Sequence, residues 1–351
     1  PVLIGAAALA AIAAAVWFFV IVPSVTRVDS VAVTDIGTDY LTVQIESGEE
    51  SGAFDVTCSD AYGNQSSLAY VAGGELTFEQ MVSEAALAGF QGTEVGGKFP
   101  TDPAVLNKAL DLRGIKIASQ WFSSFLCSTP YEENEKAFIQ QLDFLEAVGA
   151  SRINVCELTR CLFAEECSMF GDNKPIATDE EWDKLCDGLN KLGKIAADRG
   201  FKLCFHHHMA TVVQTFEETK RLMDNTDPRY VYLCFDTGHF TFAGEDPVKM
   251  LEKFADRVGH VHLKNMRMPL VEKARAEHWS FLDAVRAGAF TVPGDPDGCV
   301  EFDAVFDLLD KAGYTGWIMV EAEQDPAKAN PFEYAKMGRE YITAHTGLGG
   351  E

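Results

Sequence analysis

The sequence predicts an α/β fold, a (β/α)8 TIM barrel whose first strand is absent or degenerate. Three observations carry this. From Gly73 onward, amphipathic helical segments alternate with short strand-like runs. Those runs are apolar, as befits a parallel sheet covered by helices. Polar residues gather at the C-terminal ends of the runs, where α/β barrels place their active sites. A doubly wound open sheet is the runner-up, but no glycine-rich dinucleotide fingerprint follows any strand.

"TFEQMVSEAALAGF" reads as a helix and "GTEVGG" as the strand after it. "DPAVLNKALDLRG" then "IKIASQWF", and "ENEKAFIQQLDFLEAVG" then "RINVCELT", repeat the pattern. "TDEEWDKLCDGLNKLGKIAADRG" opens with a capping box, Thr178 to Glu181, and leads to "FKLCFHHH". "TFEETKRLMDNT" precedes "YVYLCFDTGH", "DPVKMLEKFADRV" precedes "GHVHLKN", and "FDAVFDLLDKAGY" precedes "GWIMVEAEQDP". This makes seven strands, with a helix before the first. An eighth would have to come from the front, where only "SLAYVA" is available.

The chain ahead of the barrel differs in kind. Val2 to Val22 holds 21 residues without a charge. As a helix this run spans roughly 30 Å, one bilayer core, so residues 1–22 are expected to form a transmembrane-like helix. A signal-peptide core is shorter, about 7–15 residues. Residues 23–72 alternate apolar with polar in "SVAVTD", "YLTVQIES" and "AFDVTCSD", a short β-rich segment resembling half a sandwich. The catalytic domain is expected over 73–345, with a tail at 346–351. The first residue is Pro1 rather than Met, which points to a fragment or a processed chain.

Of the 351 residues 47% are hydrophobic, ample for a large core. A formal net charge of -24 repels phosphate backbones and argues against nucleic acid as a partner. The nine cysteines are odd in number and form no CxxC pair. Cys156, Cys204 and Cys234 lie inside apolar runs, so they read as buried thiols of a reducing compartment. The expected location is cytoplasmic for the catalytic domain, with membrane attachment only through residues 1–22.

The strand-end polar residues are Glu94, Gln120, Glu157, the run His206 to His208, Asp236 with His239, His260 to Lys264, and Glu321 with Glu323. Strand period two puts His260, His262 and Lys264 on one face, and Glu321 with Glu323 on another. It also puts His206 and His208 together and turns His207 away. Singly, a strand-end carboxylate is more often a helix cap or an ion-pair partner, and a lone histidine a hydrogen-bonded core ring. Convergence from several strands on one rim is what suits Mn²⁺, Co²⁺ or Zn²⁺ with open positions for substrate oxygens.

The stretches "SEAALAGFQGTEVGGKFP", "IASQWFSS", "HHHMATVVQT", "FDTGHFTFAG", "HVHLKN", "WSFLDAVRAGAFTVPGDPDGCVEF" and "VEAEQDPAKANPFEYAK" resemble the inosose dehydratase family, within the xylose-isomerase-like TIM barrels. "DTGH" and "HVHLK" mark only the superfamily; "HHHMATVVQT" and "AEQDPAKANP" are far more specific. The resemblance implies a lyase that removes water from scyllo-inosose, a keto-inositol, to give a trihydroxycyclohexane-dione. It implies a divalent metal, manganese or cobalt, and glutathione is also associated with the family. The superfamily metal quartet is a Glu, an Asp, a His and a Glu on the last four strands. The last three map to Asp236, His262 and Glu321. The first falls at His206, so the neighbouring carboxylate Glu157 is taken as the fourth ligand, with His206 the alternative.

His208, His239 and Lys264 are the expected acid and base residues, since dehydration beside a ketone needs a carbon-bound proton removed and hydroxide protonated. Glu94, Lys98, Gln120, His206, His260 and Glu323 are the expected substrate-binding residues. The expected partner is a small polyol or keto-inositol, with a homo-oligomer left open. A sugar epimerase or isomerase on the same barrel is the competing enzyme reading. An inactive membrane-tethered relic is the non-enzymatic one, since the family's first strand is missing ahead of Thr77. A DNA-repair nuclease of the same superfamily fits worst, because Glu94 and Gln120 stand where its additional histidines would be.

Overall fold

The computed structural model describes residues 76–349 in full, and of residues 1–75 only the backbone of the strands. The chain divides into two compact units, 1–83 and 84–351. The first contains β1 (Phe18–Pro23), β2 (Val28–Ile36), β3 (Leu41–Ser47), β4 (Ala53–Ser59) and β5 (Gln65–Val71). β2 and β3 form an antiparallel pair, and β1, β4 and β5 form an antiparallel sheet in the order β1-β4-β5. The three strands expected between residues 23 and 72 are thus present, and "SLAYVA" lies in β5, paired with β4.

The transmembrane-like helix needs correction. Its last residues form strand β1, not helix. Phe18, Phe19, Val20, Ile21 and Val22 are aromatic and β-branched, a composition that favours extended backbone. Residues 1–17 lie outside the described residues. Among the described residues, no helix is long and apolar enough to cross a membrane.

The second unit begins within α1 (Phe78–Leu87) and continues through β6 (Gly92–Val95), α2 (Pro103–Asp111), β7 (Lys116–Ser124), α3 (Tyr131–Ala147), β8 (Arg152–Glu157), α4 (Asp179–Asp198), β9 (Lys202–His206), α5 (Phe216–Asp224) and β10 (Val231–Asp236). Next come α6 (Thr237–Ala243), α7 (Pro247–Phe254), β11 (Val258–Leu263), β12 (Asn265–Met266), α8 (Met268–Ala276), α9 (Phe281–Ala287), β13 (Phe290–Thr291), α10 (Phe302–Lys311), β14 (Ile318–Val320) and α11 (Pro331–Thr346). Local chemistry sets the helix starts. Thr178 and Thr215 close capping boxes with Glu181 and Glu218. Asp102 and Asp246 cap helices that begin with proline.

Seven strands form one parallel sheet in the order β14-β11-β10-β9-β8-β7-β6, so the barrel is nearly closed. The middle of β8 and all of β11 are buried, whereas the residues of β14 are half-buried. That contrast is what a strand with one neighbour shows. At the base, Trp317 lies over Gly92: a Cβ there would stand 2.6 Å from the indole. The bare glycine therefore lets a ring from the segment before β14 reach β6.

Between β11 and α10 the chain builds a cover. The antiparallel pair β12 and β13 carries α8 and α9. Met266, Val271, Phe281 and Phe290 from this insertion pack with Met169, Met209 and Phe242 in one buried cluster. Leu162, Phe163 and Phe170, from the loop after β8, pack against its edge. Arg267 pins the insertion, bonding Asp295 at 2.5 Å and the Gly288 carbonyl at 2.7 Å.

An open sheet edge leaves backbone amides without ladder partners. In hydrogen–deuterium exchange, amides of β6 and β14 are expected to exchange about tenfold or more faster than those of β8 to β11. Equal protection across all seven strands would show that both edges are paired.

Candidate active site

Strand alternation brings the chemistry into the barrel. Glu94 on β6, Ser119 and Trp121 on β7, Asn154 on β8, His206 on β9, Asp236 on β10 and His262 on β11 are joined by mutual contacts in the interior. Glu321 and Glu323 follow β14. Lys264 follows β11 and is wholly buried.

Four side chains converge: His206, Asp236, His262 and Glu321 each offer a donor atom, all within 4.8 Å of one another. His206 Nε2 lies 3.2 Å from His262 Nδ1 and 3.5 Å from Asp236 Oδ2. His262 Nδ1 lies 2.8 Å from Glu321 Oε2 and 3.7 Å from Asp236 Oδ2. Asp236 Oδ2 and Glu321 Oε2 are buried atoms that face these rings and the Lys264 ammonium without well-formed hydrogen bonds. Two imidazoles and two carboxylates converging in this way form a donor set that fits a divalent cation. Asp236 is divided between two tasks: Oδ1 accepts from His239 N at 2.8 Å and caps α6, which leaves Oδ2 turned into the group.

Lys264 stands beside this cradle. Its Nζ lies 2.9 Å from Glu323 Oε2, 3.1 Å from Glu321 Oε2, 3.5 Å from Asp236 Oδ2 and 2.9 Å from His239 Nε2. Burial alone would discharge the ammonium, but the three carboxylates outweigh it and raise its pKa. Burial likewise opposes ionisation of Glu321, but Lys264 and then His262 hold it down at about 2. Lysine donates only, so His239 Nε2 must accept from it.

His208 has a different setting. Burial, then the charge of His206, lowers its pKa to about 3, so the ring is neutral. Its Nδ1 donates to the Met209 carbonyl at 2.7 Å, because a carbonyl can only accept. A neutral ring that donates from Nδ1 keeps a lone pair on Nε2. The ring lies among Trp121, Phe163 and Phe281, at centroid distances of 5.7, 5.1 and 5.3 Å.

Other expected residues stand elsewhere. Glu157 does not join the donor group. It shares the phase of Ile153 and Val155, opposite to inward-facing Asn154, and its oxygens accept from Ser124 Oγ at 2.9 Å, Leu126 N at 2.9 Å and Thr159 N at 3.1 Å. It ties the loops after β7 and β8 together. Gln120 shares the phase of Phe122, which packs on Phe138 of α3, so it faces the helix layer while Ser119 and Trp121 face inward. Lys98 is exposed in the turn after β6. His207 faces away from the donor group: its ring stacks on Phe240 at 3.4 Å, and Nε2 accepts from Asp236 N at 3.3 Å. His260 lies deeper, on Glu94 at 2.7 Å.

Sequence reasoning missed Ser119, Trp121, Asn154, Phe163 and Phe281. For Asn154 a signal was present: it is a polar residue amid the apolar "RINVC".

The fold and the converging donors define the class first. The xylose isomerase-like TIM barrel family matches residues 82–345. Among solved structures, the IolI protein with a bound zinc atom superposes with a TM-score of 0.59 at 16% identity, covering 77% of this chain and 92% of that one. D-allulose 3-epimerase from Methylomonas sp. gives 0.55 at 20% identity, covering 76% and 90%. At such identities the likeness concerns the fold. Closer relatives narrow the class. The inosose dehydratase of Clostridium beijerinckii is 55% identical over 276 residues, 79% of this chain and 92% of that protein. That of Geobacillus thermodenitrificans is 54% identical over the same shares. The chain belongs to the inosose dehydratase family of xylose isomerase-like TIM barrels.

The donor geometry separates His206 from Glu157. His206→Gln is expected to weaken divalent-metal binding at least about tenfold, while Glu157→Gln leaves it intact and lowers stability by about 1–3 kcal/mol through a mismatched buried acceptor. Calorimetric titration with Mn²⁺ and thermal melts measure both. The reverse pattern would restore Glu157 as the ligand.

Proposed function

We propose that the chain is a metal-dependent inosose dehydratase, removing water from scyllo-inosose to give a trihydroxycyclohexane-dione. The cradle of His206, Asp236, His262 and Glu321, with charged Lys264 beside it, is the observation that carries the reading. Relatives at 51–55% identity named inosose dehydratase support it from sequence. The four cradle residues would hold the ion, and manganese or cobalt is the proposed metal. When bound, a divalent ion supplies Lewis-acid stabilisation of charge developing on the ketone oxygen, by several kcal/mol. Nothing in the geometry of the described residues calls for glutathione. The proposed catalytic domain is residues 73–345, acting on a small keto-inositol in the cytoplasm.

The protein's own residues divide the remaining work. Lys264, whose three N–H groups face Glu323, Glu321 and His239, supplies a fixed, buried positive charge beside the cradle that stabilises negative charge developing there. His208 Nε2 is the base that takes the carbon-bound proton. The imidazolium so formed can return that proton to the departing hydroxide, so the sum is loss of one water. Trp121, Phe163 and Phe281 wall this base with apolar surface and keep bulk water from the carbanionic carbon.

Purified protein with Mn²⁺ or Co²⁺ and scyllo-inosose is expected to form the dione, and chelation of the metal to stop it. His208→Gln should bind metal normally yet lose about 10²–10⁴-fold in kcat. Deuterium exchange at carbon without dione formation would instead identify an epimerase or isomerase. Unchanged kcat in His208→Gln would remove His208 as the base.

A further inference from the structure

Glu94 was expected to bind substrate, but its surroundings assign it another task. One carboxylate oxygen, Oε1, gathers donors from three strands: Asn154 Nδ2 at 2.8 Å, His260 Nε2 at 2.7 Å, His262 Nε2 at 3.1 Å, and the Ser119 hydroxyl. That oxygen is fully taken by protein donors. The ring of His262 is thereby held at both ends. Nε2 faces Glu94, while Nδ1 faces Asp236, Glu321 and His206. Nδ1 also faces a carboxylate, Glu321 Oε2 at 2.8 Å, so an ion bound there would displace a proton from Nδ1, and Glu94, which can only accept, keeps the ring's other proton on Nε2.

We infer that Glu94 is a positioning residue: through His262 it fixes the ring's tautomer and orientation and so sets the affinity of the cradle for its divalent ion. The inference rests on the proposed metal role of His262. Such outer carboxylate partners of ligating histidines raise ligand basicity, and their loss typically costs about 10–100-fold in metal affinity. Asn154 and Ser119 anchor Glu94 in turn, bonded to each other at 2.9 Å. His260, the other ring on Glu94, belongs to the same support and lies below the cradle rather than at the mouth.

The test is metal affinity, not turnover. Mn²⁺ and Co²⁺ titrations of the full chain are compared with Glu94→Gln, with circular dichroism to verify folding. Glu94→Gln is expected to bind about 10–100-fold more weakly and to alter the visible spectrum of bound Co²⁺. Binding within twofold of the unmodified protein, with an unchanged spectrum, would overturn the assignment. Should Glu94→Gln fail to fold, nitrogen-15 NMR of the unmodified protein loaded with Zn²⁺ decides. A slowly exchanging proton on His262 Nε2 supports the inference, and a proton on Nδ1 overturns it. If the unmodified protein takes up no divalent ion, the metal reading itself has failed, a result distinct from equal binding by both proteins.

Discussion

Everything in the barrel's mouth answers to one electrostatic constraint. Asp236, Glu321 and Glu323 lie within 3.5 Å of a single ammonium, that of Lys264. Carboxylates taken out of water must be paired or bound to metal. One lysine offsets one charge, burial pushes the Glu323 carboxyl up to about 7, and against burial the carboxylates around His262 raise that ring's pKa. The two imidazole nitrogens that join Asp236 and Glu321 can be ligands to a cation, which would take the place of ring protons there.

The rest of the structure holds these groups still. Neighbouring parallel strands supply Asp236 and His262 at matched register, so their side chains rise on the same side. α6 starts at Asp236 and spends one of its oxygens on a cap. The insertion carrying α8 and α9 closes apolar surface over His208 and His239. Glu94 reaches His262 from β6, a strand with one ladder partner in the barrel sheet. The cluster of His206, Asp236, His262 and Glu321 is therefore joined to a strand at the edge of the sheet.

Much of this was legible in the sequence, because period two is a strict rule. It placed His260, His262 and Lys264 on one face and separated His207 from His206 and His208. Where the rule failed, the phase was the missing quantity. In "IASQWFSS" both phases carry polar and apolar residues, so the pattern does not separate Gln120 from Ser119 and Trp121, which face inward. Glu157 is the nearest carboxylate in sequence, but it lies on the phase opposite to Asn154, which marks the inward face of β8. At the front, an uncharged apolar run reads as helix or strand alike, and only the aromatic and β-branched content of Phe18–Pro23 hinted at strand. Helices α6 and α9, of seven residues each, are too short to give a firm periodic signal. The support of His262 by Glu94 joins residues far apart in sequence, and no local pattern encodes it.

X-ray absorption on the Co²⁺-loaded protein reads the ligand shell itself. A first shell of nitrogen and oxygen only is expected, with the outer-shell scattering of two imidazoles, from His206 and His262. A sulfur contribution near 2.3 Å, which would implicate Cys234 beside those same rings, or the signature of fewer than two imidazoles, would contradict that ligand set.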